Sequence, residues 1–393
     1  MRAISAPESF YGYPRADGRV GVRNHVLLLP LTPAANRAAA LAREMAPLAV
    51  GIEMPQDIGP HVPGYPLAVR TLRGWIDHPN VYAAIVIGLG PDDPLTRDVL
   101  KDQPGHVRCT LVTLEEAGGT RGAAAQAAAA AQRLLLEAAG IPRREAPVAT
   151  LLLGTECGGS DACSGLSANP ALGYASDLLI ARGGSSIVAE TTELIGAEHI
   201  LAARAVSSDV GRRLVDTVRR AETASMRMGM DFRGTQPAPG NIEGGIGTIE
   251  EKSLGCVHKG GQSPLTDVID YGERPHGPGL VVMDTPGHDV MQLVGMAAGG
   301  AQVVVFTTGR GTPTGLAICP VIKVSTRTAL KKSLPALIDL DAGPVVDAFL
   351  TVEDVGEQLY RKILSVANGE QVAAELARHR EFGIFQGWEA AHP

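Results

Sequence analysis

The sequence is poor in aromatic residues, at 4%, and in charge, with Asp, Glu, Lys and Arg together at 20% of 393 residues. Hydrophobic residues make up 45%, so a segment too polar to fold is excluded as the main state. The formal net charge is −7 and no Lys/Arg-rich run with interleaved aromatics occurs, which removes the electrostatic footprint of a nucleic-acid binder. Long apolar runs are missing too. The longest, residues 25–30 and 81–89, fall far short of the roughly 18–20 residues that cross a bilayer, and the first residues carry no signal-peptide core. A cytoplasmic protein with neither a membrane nor a nucleic-acid partner is expected. Cysteine is scarce as well: Cys109, Cys157, Cys163, Cys256 and Cys319 are odd in number and form no CxxC pair, so reduced thiols are expected instead of disulfides or a zinc ribbon.

Glycine is what the chain has in excess, 47 residues beside 27 prolines, and the excess clusters in a few runs. At roughly 100–200 residues per domain the length suits two domains. Through residue 145, apolar β-branched runs near 25–29, 83–89 and 109–114 alternate with helix-period segments near 34–45, 67–76 and 121–139, the pattern of βαβ units with buried parallel strands. The alanine-rich last segment reads as a helix flanked by solvent and stopped at Gly140-Ile141-Pro142. Over residues 146–393 a larger α/β catalytic domain is expected. Its strands lie near 148–153, 186–189, 280–283 and 302–306, and its helices near 210–228, 290–298 and 352–366. Long glycine-rich segments at 154–170, 230–261 and 307–320 join them and should be active-site loops.

The chemistry concentrates in those segments. Gly154-Thr-Glu-Cys-Gly-Gly-Ser-Asp-Ala-Cys-Ser-Gly165 follows a strand and precedes a helix, where free backbone N–H groups suit a carboxylate or phosphate. It matches neither the dinucleotide fingerprint nor the P-loop. Glu156, Cys157, Ser160 and Asp161 are close enough there to supply a metal ligand, a base or a substrate contact; a glycine turn with an inert thiol is the structural alternative. Only seven lysines occur against 28 arginines, and Lys252, Lys259 and Lys323 sit in or beside the glycine runs. A desolvated lysine can lose its proton and arginine cannot, so these are candidate bases or carboxylate contacts, with solvated surface lysines as the alternative. Arg310, between two glycines, can clamp a carboxylate or make a structural ion pair, and Thr307 and Thr308 end a strand where α/β folds place ligands. Arg23-Asn24 precedes the first apolar strand and could equally be a turn.

Several separated motifs stand in one order: Asp17-Gly-Arg-Val-Gly-Val-Arg-Asn24, His78-Pro-Asn80, Gly88-Leu-Gly90, residues 154–170, 240–261 and 306–323, and Asp284-Thr-Pro-Gly287. In these the chain resembles the large catalytic region of the altronate/galactarate dehydratase family, to which the large subunit of (2R)-sulfolactate sulfo-lyase also belongs. The resemblance implies elimination from a hydroxylated carboxylic acid such as an aldonate or aldarate to a 2-keto-3-deoxy acid. A divalent metal is implied with it, Fe²⁺ first and Mn²⁺ or Mg²⁺ as alternatives. C–S elimination from sulfolactate, or a non-catalytic subunit that binds an acidic ligand, are the competing expectations. On this basis Lys252, Lys323, Glu156 and Asp161 are expected to be catalytic. Arg310, Thr308, Ser160, Lys259, Arg23, Asn24 and Asn241 are expected to bind substrate, and Cys157 and Asp161 to hold the metal. Lys252, Arg310 and Lys323 are expected to converge on one anionic pocket. Two thiols of the family pattern are absent, near Met54–Gly59 and in Gly88-Leu-Gly-Pro-Asp92, and Glu243 stands where a neutral or basic residue is expected. The family's small β-rich module is not within these residues, so a separate small subunit is expected, in a homo- or hetero-oligomer.

Overall fold

The computed structural model describes residues 9–388, so the outermost parts of both expected domains, 1–8 and 389–393, lie outside the described residues. The chain first forms β1 (Ser9–Pro14), β2 (Val20–Gly21), β3 (His25–Pro30), β4 (Val50–Gly51), β5 (Val81–Gly88), β6 (Cys109–Thr113) and β7 (Arg144–Pro147). Strands β4-β3-β5-β6 make a parallel sheet in that order. Strand alternation divides their side chains between two layers. Val26, Leu28, Ile85 and Ile87 meet the helices Pro33–Met45 and Thr120–Ala139, whereas Leu27, Leu29, Ala84 and Val86 join the core that continues into the second half of the chain. The alanine-rich helix is therefore more than a solvated one. Ala123, Ala124, Ala127 and Ala131 are buried, and their small side chains let it lie close on the alanine face of its neighbour.

The second half adds β8 (Leu152–Cys157), β9 (Ser185–Val188), β10 (Leu265–Ile269), β11 (Gly279–Met283), β12 (Val303–Thr308), β13 (Val321–Ser325) and β14 (Leu340–Asp341). They form one parallel seven-stranded sheet, β10-β11-β9-β8-β12-β13-β14. From β8 the chain crosses to one side of the sheet and from β12 to the other. The crevice at the carboxyl ends of β8 and β12 is thus a topological switch point, the place where open α/β sheets bind ligands. The fold is α/β in two parts, each with a mainly parallel sheet.

Three differences from the sequence expectations have local causes. The strand expected at 148–153 begins with a 3₁₀ turn, Val148–Thr150, and extends to Cys157, so Glu156 and Cys157 are strand residues. Lys323 lies in β13, a strand masked by the glycine run before it. Residues 230–261 contain the helices Phe232–Thr235, Pro239–Glu243 and Ile249–Val257 in place of a long loop. Thr248 caps the last of these by accepting from the Glu251 N–H, 3.1 Å, with Glu250 and Glu251 in its first turn.

Candidate active site

Parallel pairing aligns Glu156 of β8 with Phe306 of β12 and Phe306 with Lys323 of β13; the next row is Cys157, Thr307 and Val324. Successive rows point to opposite faces of a sheet. Two clusters therefore meet at the switch point, one on the Cys157 face and one on the Glu156 face, close enough at the strand ends that the charges of Lys259 and Glu193 act on Glu156 and that of Glu193 on Asp289.

On the Cys157 face, one donor atom from each of Cys157, Glu190, Glu193 and Cys256 lies within 4.8 Å of the others, and all four residues are buried. The Cys157 sulfur is 3.6 Å from an oxygen of Glu190 and 3.6 Å from one of Glu193; Cys256 is 4.0 Å from Glu190. Metal–sulfur and metal–oxygen bonds of about 2.3 and 2.1 Å at a tetrahedral angle put sulfur and oxygen about 3.6 Å apart, so the donor set fits a four-coordinate divalent metal. Lys259 donates to Glu190 at 3.0 Å and Lys252 contacts Glu193 at 2.5 Å. Two thiolates, two carboxylates, two ammonium groups and one dication sum to zero, which suits a buried site. Burial, and then the charge of Glu193, push the Glu190 carboxyl up. Burial acts the same way on Glu193, but the Lys252 ammonium outweighs it and brings Glu193 down to about 2. Burial disfavours the charge of Lys252, yet Glu193 and Glu190 raise its pKa, so it stands here as a cation and not as a base. Cys256 alongside and burial raise the Cys157 thiol.

Glu190 follows β9 with φ 78°, a left-handed conformation that is uncommon for a residue other than glycine. The Asp284-Thr-Pro-Gly287 motif holds it there. The Glu190 N–H donates to Thr285 Oγ1 at 2.6 Å, and Thr191 Oγ1 donates to Asp284 at 2.7 Å. A cavity of about 170 Å³ opens beside this cluster, lined by Cys157, Ser160, Asp161, Asn169, Lys252 and His258 among others.

On the Glu156 face, neither Glu156 oxygen nor the Lys323 ammonium has a hydrogen-bond partner among the described residues. Both side chains are fully buried, and Lys323 Nζ lies 3.5 Å from the Phe306 ring centre. Burial lowers Lys323 to about 7 even though Asp289 and Glu156 oppose it, and burial raises Glu156. A wide cleft of about 1140 Å³ opens between the two halves, lined by Arg43, Met54, His288, Arg378, Arg380 and Glu381 among others; of these, Glu381 acts on the charge of Lys323.

The three glycine runs do pack together. Gly309 N–H donates to Gly159 O at 3.1 Å and Ala162 N–H to Gly244 O at 2.9 Å. The side chains they carry are spread out, however. Lys252 lines the small cavity, Lys323 is buried on the other face, and half-exposed Arg310 pairs with Glu243 at 3.2 Å. Asp161 is not with Cys157 in the metal-capable set: its carboxylate accepts from Thr326 Oγ1 at 3.0 Å and pairs with Arg327 at 2.9 Å, which anchors the loop to β13. Ser160 accepts on its carbonyl from the Asn241 amide at 2.9 Å, and Thr308 Oγ1 accepts from the N–H groups of Arg310, Gly311 and Thr312. Arg23 is spent on the seam between the halves and Asn24 on contacts within the first half. Arg23 is bidentate to Glu375, both bonds 2.8 Å, and also bonds the Val366 and Glu370 carbonyls; Asn24 links Arg15 and the Ala138 carbonyl. Glu190, Glu193 and Cys256 escaped the sequence reading as ligands. One signal was there: Glu190 and Glu193 directly follow the buried strand β9, at a carboxyl end where such folds place function.

Residues 148–390 match the family described as D-galactarate/altronate dehydratase, C-terminal, and residues 12–139 match D-galactarate dehydratase/altronate hydrolase, second domain. An altronate dehydratase of Bacillus subtilis (strain 168) is 35% identical over 96% of this chain and 78% of its own length. A galactarate dehydratase (L-threo-forming) of Escherichia coli (strain K12) is 34% identical over 96% and 76%. The (2R)-sulfolactate sulfo-lyase subunit beta of Chromohalobacter salexigens is 35% identical over 98% of both chains. With the matched segments covering nearly the whole described chain, the protein belongs to the D-galactarate/altronate dehydratase family and is a lyase of that kind.

Proposed function

We propose that this lyase is a metal-dependent hydro-lyase that dehydrates a hydroxylated carboxylic acid, an aldonate or aldarate, to a 2-keto-3-deoxy acid. The observation that carries the metal is the buried set Cys157, Glu190, Glu193 and Cys256 with its two charge-balancing lysines. Two sulfur donors favour Fe²⁺ over Mg²⁺. A divalent metal held by these four donors would act as a Lewis acid on a substrate oxygen by taking that oxygen as a further ligand.

Removing the proton α to a carboxylate builds a second negative charge on that carboxylate, which needs a base at carbon and cations at oxygen. Lys323, lowered to about 7, is the residue suited to take that proton at neutral pH. Lys252 and Lys259, held charged by Glu193 and Glu190, offset the negative charge of the ligand set at the switch point. Glu156, across Phe306 from Lys323, is the candidate proton donor to the departing hydroxyl. A small acid would reach them from the cleft carrying Arg43, Arg378 and Arg380.

The full-length match to a sulfolactate sulfo-lyase subunit beta favours a second reading, C–S elimination from a sulfonated hydroxy acid. That relative is named as a subunit, which supports a separate partner subunit here as well. Metal analysis of the purified chain, followed by turnover assays on altronate, galactarate and sulfolactate with and without a small β-rich partner subunit, separates the readings. A chain that binds no divalent metal and turns over none of these acids would sink both.

A further inference from the structure

Beside Glu156 and Lys323, one more fully buried side chain on this face lacks partners. Neither the amide oxygen nor the amide nitrogen of Gln292 has a hydrogen bond among the described residues. Gln292 belongs to the helix Asp289–Ala298, three residues after Asp289 and four before Met296, so the three share one helix face. A Cβ on Gly154 would stand 3.0 Å from Met296 Sδ, and one on Gly158 2.5 Å from an oxygen of Asp289. Gly154, Glu156 and Gly158 alternate along the same side of the chain. The helix thus runs along β8 with Gln292 at the level of Glu156, and Lys323 lies one strand further, past Phe306.

A buried primary amide without partners works against folding, and where native proteins retain one, a bound water, an ion or a ligand takes up its bonds. We propose that Gln292 binds a hydroxyl group of the substrate, its amide donating to and accepting from the same C–OH beside Glu156 and Lys323. The inference rests on the lyase reading and names what that site recognises: an acid whose carbon chain carries a hydroxyl. A hydroxyl both donates and accepts, as an amide does; a methylene, a carboxylate or a sulfonate cannot match it in both senses. The cleft between the halves comes nearest at the start of this helix, where its wall includes His288 and Val290 on either side of Asp289.

The test compares acids matched in length with and without hydroxyls: galactarate against adipate, altronate against hexanoate, sulfolactate against 3-sulfopropionate. Their affinities are measured by calorimetry on the metal-loaded full chain and on Gln292→Met and Gln292→Glu, with circular dichroism and metal content as checks of folding. Wild type should prefer the hydroxylated member of at least one pair by tenfold or more, and Gln292→Met should bring that pair within about threefold. Ligand-free Gln292→Met should also melt at the same temperature as wild type or higher, because a group without partners has been replaced by an apolar one of similar shape. An unchanged preference in Gln292→Met, a wild type that distinguishes no pair, or a clear fall in melting temperature would each overturn the inference. If Gln292→Met does not fold, Gln292→Glu decides it by the same loss of preference. Wild type that shows the preference yet turns over no acid would deny the lyase reading and leave the hydroxyl contact standing.

Discussion

Lys323 is the residue whose chemistry depends most on its position. Burial lowers it to about 7 from the ordinary 10.5, so its free amine becomes available near neutrality. The acid limb of kcat/KM against pH should therefore rise with a midpoint near 7, and Lys323→Met should lower turnover by a hundredfold or more, measured on a confirmed substrate. Stability should move with the same proton. Unfolded Lys323 holds its proton up to about pH 10.5 and the folded one releases it near 7, so unfolding takes up a proton between those values. Stability should thus fall as pH drops from about 10 to 7 and change no further below. Urea melts at pH 7 and pH 9 should show that slope in wild type and a shallower one in Lys323→Met. The scarcity of lysine singled out Lys252, Lys259 and Lys323 in the sequence. What separated a base from two bound cations was the ion pair: Glu193 and Glu190 hold Lys252 and Lys259 charged, whereas Lys323 is buried with no salt bridge among the described residues, a difference that sequence distance conceals.

At the scale of elements, the ends of β8 and β9 make the metal-capable cluster, and the turn after β9 is the strained part. Thr285 holds Glu190 in its left-handed conformation through a 2.6 Å bond. Thr285→Val removes the hydroxyl, leaves the Glu190 N–H without that acceptor, and should cost about 1–3 kcal/mol by chemical denaturation while lowering metal content. Cys157→Ala and Cys256→Ala should each reduce bound metal, read by elemental analysis; full stoichiometry in both would show that these thiols only pack. The strands and long helices were legible because their apolar period is local. The cluster was not, because its four donors come from β8, the turn after β9 and the helix Ile249–Val257, which only sheet order brings together.

In the whole molecule, the seam between the halves is built in part from motifs that carry the family resemblance in the sequence. Asn80 accepts from the Val22 N–H and donates to the carbonyls of Gln302 and Ile318, while His78 bonds the Ala301 carbonyl at 3.0 Å. Asn80→Ala leaves these buried groups without partners and should destabilise by about 2–4 kcal/mol, with metal content unchanged, since the seam lies outside the metal-capable set. Across the seam, the helix Tyr65–Ile76 packs on the helix Asp289–Ala298, where Trp75 Nε1 donates to the Val294 carbonyl. A Cβ on Gly74 would come within 2.3 Å of the Ala298 oxygen, so Gly74 permits that contact. Of the cleft arginines, Arg380 is lowered by burial and then by the charges of Arg43 and Arg378. Arg380→Gln should raise KM for an acid about tenfold with little change in kcat, the signature of a binding contact.

By itself, the sequence determined the class of this protein: apolar runs with helical segments between them demand buried parallel strands, and glycine runs with scarce lysines mark where backbone and cations meet a small acid. Those signals are local, a matter of period, composition and spacing, and they survive without a structure. Tertiary structure alone decided which groups act together. Pairing across β8, β12 and β13 aligned Glu156 with Lys323, alternation turned Cys157 to the other face, and burial made one lysine a base while ion pairs kept two others charged. A proton's affinity and a metal's ligand set both depend on distances of a few ångströms between residues far apart in the chain, and the folded sheet sets those distances.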